Sequence, residues 1–214
     1  MKNYSLFLLI LLISSTCFCQ RLYFEIGTTV SSFDFENSQG QALDNLLSTS
    51  KSYYGMGFRQ RINSAETLFL SLGATFSSYG AIGSEDSIDN FFEWDVSYLG
   101  LRLGLGIKLF QLRDLTFLAN ASLSPEFLIR GTQTLNNRVF NLVGEEEFNN
   151  IILFFRGGVE MQYPISRSTA ISIGYSYGKS ALVNTGDARE SLNLNAHQFG
   201  VGFIINLPNC RCDF

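Results

Sequence analysis

The sequence is poor in the residues that supply cross-links, metal ligands and charge. Of its 214 residues four are cysteine, three proline and one histidine, and charged side chains make up 16%. Cys17 and Cys19 lie in the N-terminal segment, so only Cys210 and Cys212 remain for the body of the chain, and a disulfide framework is excluded. Two thiols with no histidine beside them make an incomplete metal site. We therefore expect neither a metal centre nor a cofactor.

The N-terminal segment 1–19 has the layout of a secretory signal peptide. Lys2 precedes an apolar run, and small polar residues follow that run. The run is much shorter than the roughly 20 residues that a membrane-spanning helix needs. We expect cleavage before Gln20. A lipid anchor on Cys17 or Cys19 is the alternative, although neither cysteine has the full lipoprotein pattern around it.

The charge balance is acidic. The formal net charge is −4, and removal of Lys2 with the signal peptide makes it −5. A nucleic-acid-binding protein needs an excess of basic side chains, which this chain does not have. Nucleic acid is therefore not expected as a partner.

Beyond Gln20 the hydrophobic pattern alternates with a period of two residues, as in β-strands, and no segment of helical period interrupts it. The alternation predicts eight strands, at residues 21–35, 51–62, 67–79, 99–109, 115–131, 151–163, 169–180 and 194–207. The links after the second, fourth and sixth strands are short, and the others are long. The sequence thus predicts an all-β, transmembrane up-and-down antiparallel barrel at 20–209, with a short tail at 210–214.

The fourth predicted strand shows the alternation most clearly. Its leucine-rich face runs from Leu99 to Leu109, about 11 residues, the length that a tilted strand needs to cross a bilayer. Glu93 and Asp95 fall on the same face further up, which predicts either a bulge or an exit from the bilayer. Pro125 has no amide hydrogen to donate, so it predicts an irregularity in the fifth strand.

Alternation alone does not say which face meets lipid, because a soluble lipocalin-like barrel has the same period with its apolar face inside. The glycines decide in favour of a membrane barrel: those in the strands lie on the polar face, except Gly157. A narrow lumen favours glycine, whereas a water-exposed sheet surface does not. On this interpretation a luminal position such as Gly27 accepts serine. A soluble periplasmic carrier remains the alternative.

Charged side chains predicted inside the lumen carry both signs and should pair, because an isolated buried charge is very unfavourable. They are Glu25, Arg59, Arg61, Arg102, Lys108, Glu126, Arg130, Arg156 and Glu160. A lumen filled in this way is not a diffusion pore.

Aromatic residues are expected to form two girdles on the outer surface. The turn-end girdle comprises Phe24, Phe110, Phe117, Tyr163 and Phe203, and the loop-end girdle comprises Phe33, Tyr54, Phe76, Phe127, Tyr175 and Tyr177.

Three features carry a family resemblance: Cys19-Gln20 at the end of the signal peptide, the repeat LGLRLGLG at 99–106, and the closing strand FGVGF at 199–203. With these, nearly the whole mature chain resembles the small porin-like outer-membrane β-barrel proteins common in Bacteroidota, some of which are linked to type IX secretion. The resemblance implies a location in the outer membrane of a Gram-negative bacterium. It also implies contact with membrane lipid and with other envelope or secretion proteins. One departure is that Phe214 does not lie on the last strand.

An even number of strands places both termini in the periplasm, so the loops near 36–50, 80–91, 132–149 and 181–193 are predicted to be extracellular. Segment 132–137 has the polar character of a mobile loop. The loops carry many acidic residues, but none has the spacing of a Ca²⁺ site.

The single histidine, His197, is predicted on the lipid-facing side of the eighth strand near its outer rim. Outer-membrane lipid-modifying enzymes place a catalytic histidine and serine at that depth, so such an enzyme is the alternative function. Two residues on, however, stands Phe199, and no motif supplies a nucleophile. We therefore assign no catalytic residue. The expected function is non-enzymatic, in envelope integrity, surface contact or a secretion or assembly complex.

Overall fold

The structure is a computed structural model that describes residues 20–36, 46–63, 65, 67–85, 90–144, 151–182 and 191–207. The expectations for the signal peptide, for the tail with Cys210 and Cys212, and for most acidic loop residues lie outside these ranges. Within them, no helix is long and apolar enough to cross a membrane.

The described chain forms antiparallel β-strands joined in sequence order. They are β1 (Gln20–Glu36), β2 (Leu46–Arg61), β3 (Leu68–Glu85), β4 (Asn90–Leu112), β5 (Leu115–Leu135), β6 (Arg138–Asn141), β7 (Ile152–Pro164), β8 (Thr169–Leu182) and β9 (Ser191–Asn206). Pairing of β4 with β5 closes the sheet, and β6 pairs only with the upper part of β5. Eight strands therefore form the closed barrel, as the alternation predicted.

The closed sheet is staggered by ten residues. A path of paired residues perpendicular to the strands runs through Leu22, Phe58, Leu72, Leu103, Leu123, Phe155, Lys179, Asn195 and Ser32. It returns to β1 ten residues beyond its start. With about 3.3 Å per residue and about 4.8 Å between strands, this stagger tilts the strands by about 41°. Outer-membrane barrels have tilts of this size.

The apolar face of the sheet is on the outside. Leu99, Leu101, Leu103 and Leu105 of β4 are each at least half exposed, and the neighbouring strands present similar residues. At a tilt of about 41° the span from Leu99 to Leu109 is about 25 Å tall, which matches the lipid-facing band of membrane barrels. We call this surface the apolar band. The alternative of a soluble carrier is therefore wrong.

The glycines of the polar face point into the lumen, where they leave room for two tyrosines. A Cβ atom on Gly27 would lie 2.1 Å from the carbonyl oxygen of Phe199 and 2.6 Å from the ring of Tyr53. Gly57 and Gly73 accommodate Tyr23 in the same way. The expectation that serine fits at Gly27 is therefore wrong, because the barrel wall and a tyrosine ring already fill that volume.

The strands continue beyond the apolar band at the loop end, and there the two faces exchange character. Most of the loop expected at 80–91 is strand, because β3 and β4 both extend into it. Trp94, Val96 and Tyr98 are buried inside the barrel, whereas Glu93 and Asp95 lie outside. The β3–β4 ladder is continuous, so β4 leaves the bilayer without the bulge considered for it.

Two irregularities in the pairing of β4 with β5 lie on β5, besides register shifts between Ser48 and Tyr53 of β2 and between Lys108 and Phe110 of β4. Its ladder with β4 resumes at Leu103–Leu123 after Gly100–Glu126, and the interval contains Pro125, as predicted. Higher up, Ser97 pairs with Arg130 and Tyr98 with Leu128, so Ile129 is an extra residue. This bulge reverses the phase of β5. Arg130 is consequently exposed on the outside, and its predicted luminal position is wrong.

The segment expected to be a mobile loop forms a hairpin above the barrel. Strand β5 extends to Leu135, turns at Asn136 and Asn137, and pairs with β6. Both asparagines have positive φ, 48° and 66°. Two-residue hairpin turns require this conformation, and asparagine adopts it more readily than most residues. The Asn-Asn dipeptide was thus a turn signal that the prediction overlooked.

The aromatic residues expected in the girdles lie on the outer surface of the barrel, with one exception. Phe110 and Phe117 stack at the turn end with ring centroids 4.6 Å apart, and Tyr54 and Phe76 lie 6.2 Å apart on the outer surface. Phe33 is not part of a girdle, because it is buried inside the lumen, 5% exposed.

We predict that Leu103→Arg destabilises the folded barrel by about 2–4 kcal/mol, because it places a cation near mid-bilayer on the lipid-facing side. The measurement is the fraction of protein with the heat-modifiable gel mobility of a folded barrel after refolding into vesicles.

The matched luminal control is Gly174→Ser. A Cβ atom at Gly174 meets only the Val159 carbonyl oxygen at 3.7 Å, so serine fits there. Gly27→Ser should fold poorly. Equal folding of Leu103→Arg and Gly174→Ser would contradict the assignment of inside and outside.

Candidate functional site

Ion pairs between strands fill the lumen at the level of the apolar band. Arg59 on β2 forms a bidentate pair with Glu160 on β7, with N–O distances of 3.1 and 2.8 Å. Arg102 on β4 pairs with Glu25 on β1. Gln162 also donates to Glu160, at 2.7 Å. The two ion pairs cross the lumen between strands that are not neighbours in the sheet, so they brace the barrel from inside.

The third pair is the most deeply buried. Arg156 Nη2 donates to Glu126 Oε1 at 2.6 Å, and the two side chains are 2% and 1% exposed. The Tyr79 hydroxyl accepts from Arg156 and donates to Glu126 Oε2, both at 2.7 Å. The carboxylate therefore receives one bond on each oxygen, which offsets part of its desolvation.

Arg156, Glu126 and Tyr79 form a luminal triad. Above it, at the loop end, a cluster of interior apolar residues covers the lumen, and we call this cluster the apolar cap. Its members are Phe33, Tyr79, Ala81, Trp94, Val96, Tyr98, Leu142, Ile152, Phe154, Leu194 and Ala196. Tyr79 stacks on Phe154, with centroids 5.2 Å apart and planes 12° apart. The hydroxyl of Tyr79 faces the ion pair while its ring belongs to the cap, so one residue joins the two layers.

A smaller apolar cluster of Tyr23, Ala170 and Ile204 lies inside the barrel at the turn end. Between this cluster and the triad lies a polar cavity of about 80 Å³, lined in part by the ion pairs. Such a volume holds a few water molecules. The described residues therefore line a small polar cavity between two apolar layers.

The predicted luminal pairing is confirmed for Glu25, Arg59, Arg102, Glu126, Arg156 and Glu160. Lys108 instead bonds Gln111 at the turn end, 2.7 Å away. The alternation identified these inward charges and failed only at Arg130 among the residues discussed above. It did not predict which residues pair with each other, because the partners depend on the stagger of the whole barrel. The apolar cap was not predicted, because the inward face of each strand was assumed to be polar, whereas the inward residues of the cap are hydrophobic.

His197 lies outside, on the predicted lipid-facing side of β9. Its Nδ1 atom is 2.9 Å from the Tyr175 hydroxyl, and its ring centroid is 4.9 Å from that of Tyr177. Phe199 is the next outward residue on the same strand. The hydrogen-bond partner of His197 is thus the phenol of Tyr175, and not the serine that the alternative of a lipid-modifying enzyme calls for. No group of three or more His, Cys, Asp or Glu in the described ranges could hold a metal ion.

The outward apolar band, polar lumen and closed antiparallel sheet define a transmembrane β-barrel of the outer-membrane class. Residues 5–204 match the family described as the outer membrane protein beta-barrel domain, and the chain belongs to that family. Among curated proteins, none matches this sequence.

Solved structures of several outer-membrane barrels are similar to this chain. OprG from Pseudomonas aeruginosa is 12% identical with a TM-score of 0.51, covering 89% of this chain and 97% of that one. Neisserial surface protein A is 14% identical with a TM-score of 0.47, covering 87% and 97%. The outer membrane protease OmpT from Escherichia coli is 6% identical with a TM-score of 0.47, covering 90% and 98%. At these identities the likeness concerns the fold alone.

We predict that Glu126→Gln destabilises the barrel by about 3–5 kcal/mol, because it leaves the Arg156 guanidinium buried without a counter-charge. The measurement is urea unfolding in vesicles, followed through the fluorescence of Trp94, the single tryptophan, which lies in the apolar cap.

The control is Asp95→Asn, which removes an ion pair of similar length, 2.8 Å to Lys51. Those side chains are 47% and 25% exposed, so the loss should not exceed about 1 kcal/mol. Equal losses of stability in the two variants would show that the luminal triad is no more desolvated than the ion pair on the outer surface.

Proposed function

We propose that this outer-membrane barrel is a closed, non-enzymatic protein that acts through contacts of its surfaces. The observation that carries the proposal is the enclosed lumen, filled by three ion pairs and covered by the apolar cap. A solute would have to separate buried charges and displace packed aromatic rings in order to pass. The surfaces that remain to carry the function are the outer wall and the loop end. At the loop end a hairpin extends beyond the barrel.

The roles that fit such a protein are envelope integrity, contact at the cell surface, or membership of a secretion or assembly complex. The resemblance to porin-like proteins of Bacteroidota, some linked to type IX secretion, supports the last of these. Mild detergent extraction followed by identification of stoichiometric partners tests it. Recovery of the barrel alone with lipid would favour envelope integrity.

The proposed orientation has the signal peptide removed before Gln20, both termini in the periplasm and the apolar cap on the extracellular side. An even number of strands and the short turns at the opposite end support it.

The first prediction from this proposal concerns conductance. The wild-type barrel in planar bilayers at neutral pH should show no stable large conductance, because the charges in its lumen are paired and its loop end is packed. Insertion is verified by heat-modifiable mobility of the same sample. Reproducible conductance steps of the size that porins show would contradict the closed lumen and would support a channel function.

The second prediction concerns orientation. A short epitope inserted after Asn137, at the tip of the β5–β6 hairpin, should be labelled by antibody on intact cells, because exposed turns accept insertions. The same epitope after Arg113, in the tight turn between β4 and β5, should be labelled only after the outer membrane is permeabilised. Labelling of intact cells at Arg113 alone would reverse the orientation.

A further inference from the structure

A polar strip interrupts the outer wall of the barrel near the loop end. It consists of Tyr175, Tyr177 and Lys179 on β8 with Asn195 and His197 on β9, and these residues lie on the outward phase. Apolar outward residues adjoin the strip on β7 and lower on β9, such as Phe155 opposite Lys179 and Phe199 opposite Tyr175, whereas Ser32 and Asp34 adjoin it on β1. We call this set the β8–β9 strip.

Lys179 lies at the upper edge of the apolar band. It is reached from Leu103 in three steps between paired strands, through Leu123 and Phe155. At a tilt of about 41° these steps raise Lys179 by about 9 Å, and Leu99, four residues up β4, is about 10 Å above Leu103. Lys179 is thus level with Leu99, the uppermost residue of the band. At this edge the charged end of a lysine side chain reaches the lipid headgroups, so the position fits contact with them.

The strip is held in a defined arrangement. Asn195 Nδ2 donates to Asp34 Oδ2 at 2.7 Å, and Tyr177 stands beside His197, across the β8–β9 ladder. The Tyr175 hydroxyl lies 2.9 Å from His197 Nδ1. With Tyr175 donating this bond, the ring proton is on Nε2, the nitrogen on the opposite side of the imidazole.

The donors that the strip leaves for a ligand are the Lys179 ammonium and Nε2–H of His197, because the Tyr177 hydroxyl donates to Asn195 Oδ1 at 3.4 Å. Lys179 is exposed, and within the described part of the chain it forms no ion pair. It is a diagonal neighbour of His197 across the ladder, about 8 Å away at the backbone, so both side chains can reach one ligand. Asp34, the acid beside the strip, accepts a hydrogen bond from Asn195 on one carboxylate oxygen and is four residue pairs further up the β1–β9 ladder than His197. An acceptor-rich anionic group fits this set better than a cation or a neutral acyl chain.

We propose that Lys179 and His197 bind the phosphate group of a lipid in the leaflet at the loop end of the barrel. The site is embedded in apolar wall, so its ligand has to carry acyl chains beside its phosphate. Phosphate lies just above the hydrocarbon at the depth that the Lys179 ammonium reaches by extending outward. Only the identification of this leaflet as the outer one rests on the proposed orientation.

The test is lipid binding to the full barrel, purified in mild detergent and titrated in native mass spectrometry with phosphorylated lipid A. Lys179→Gln should weaken binding about tenfold, by loss of a charge-assisted hydrogen bond. His197→Gln should weaken it less, and Lys179→Arg should retain most of it. Lipid A stripped of its phosphates should bind weakly to all variants. Heat-modifiable mobility confirms that each variant is folded.

The matched control is Lys108→Gln, which removes a lysine from the same barrel at the turn end, where its contact is Gln111. It should bind phosphorylated lipid A as the wild type does. Wild-type affinity in Lys179→Gln, or equal affinity for the dephosphorylated lipid, would overturn the proposal. A co-purifying protein lost only in Lys179→Gln, with lipid binding unchanged, would assign the strip to a protein partner. The conductance of the same samples is also measured. A result against the lipid site therefore leaves the proposal of a closed lumen to be tested by its own measurement.

Discussion

The pairing of β4 with β5 is the contact on which the rest of the barrel depends. Inside a bilayer no water is available for backbone amides and carbonyls, so an open sheet edge is excluded and the sheet has to close. Closure with a stagger of ten residues sets both the tilt of the strands and the width of the lumen. Eight strands leave a lumen that side chains must fill. The Tyr53 ring over Gly27, and the ion pairs that cross the lumen, are consequences of that narrow width.

Each strand meets two surroundings along its length, and this explains the exchange of faces on β4. At the level of Leu103 the outside is hydrocarbon, so the apolar residues point outward. Beyond the band the outside is water, and the inward residues Trp94 and Val96 then form a core as in a soluble barrel. Glu93 and Asp95 point outward as the leucines do, but they lie in water and not in hydrocarbon. A charge on the apolar phase therefore marked the edge of the bilayer.

The sequence predicted the parts of the fold that are encoded by periodicity. The eight strands, the outward leucines and the inward glycines follow from alternation with a period of two. The extra residue Ile129 was not visible, because an inserted residue reverses the phase only relative to a neighbouring strand. Arg130 was misplaced for that reason. Phe33 was misplaced because its apolar character alone could not distinguish a membrane girdle from the interior core above the membrane. The Asn136-Asn137 turn was recognisable in principle, but the polar composition around it concealed the hairpin.

A closed interior also changes how the outer wall has to be interpreted. In a wide barrel, polar residues can be explained by a water-filled channel, but here the luminal charges are already paired with one another. Polar groups on the outer wall cannot be extensions of such a channel, and each needs a partner from the membrane or from another protein. Most of the wall has no such requirement, because it presents apolar side chains to lipid. On β8 and β9 hydrogen bonds fix His197 and Asn195, while the Lys179 ammonium is exposed and forms no ion pair among the described residues. This local departure from the apolar pattern is therefore the part of the wall best suited to selective recognition.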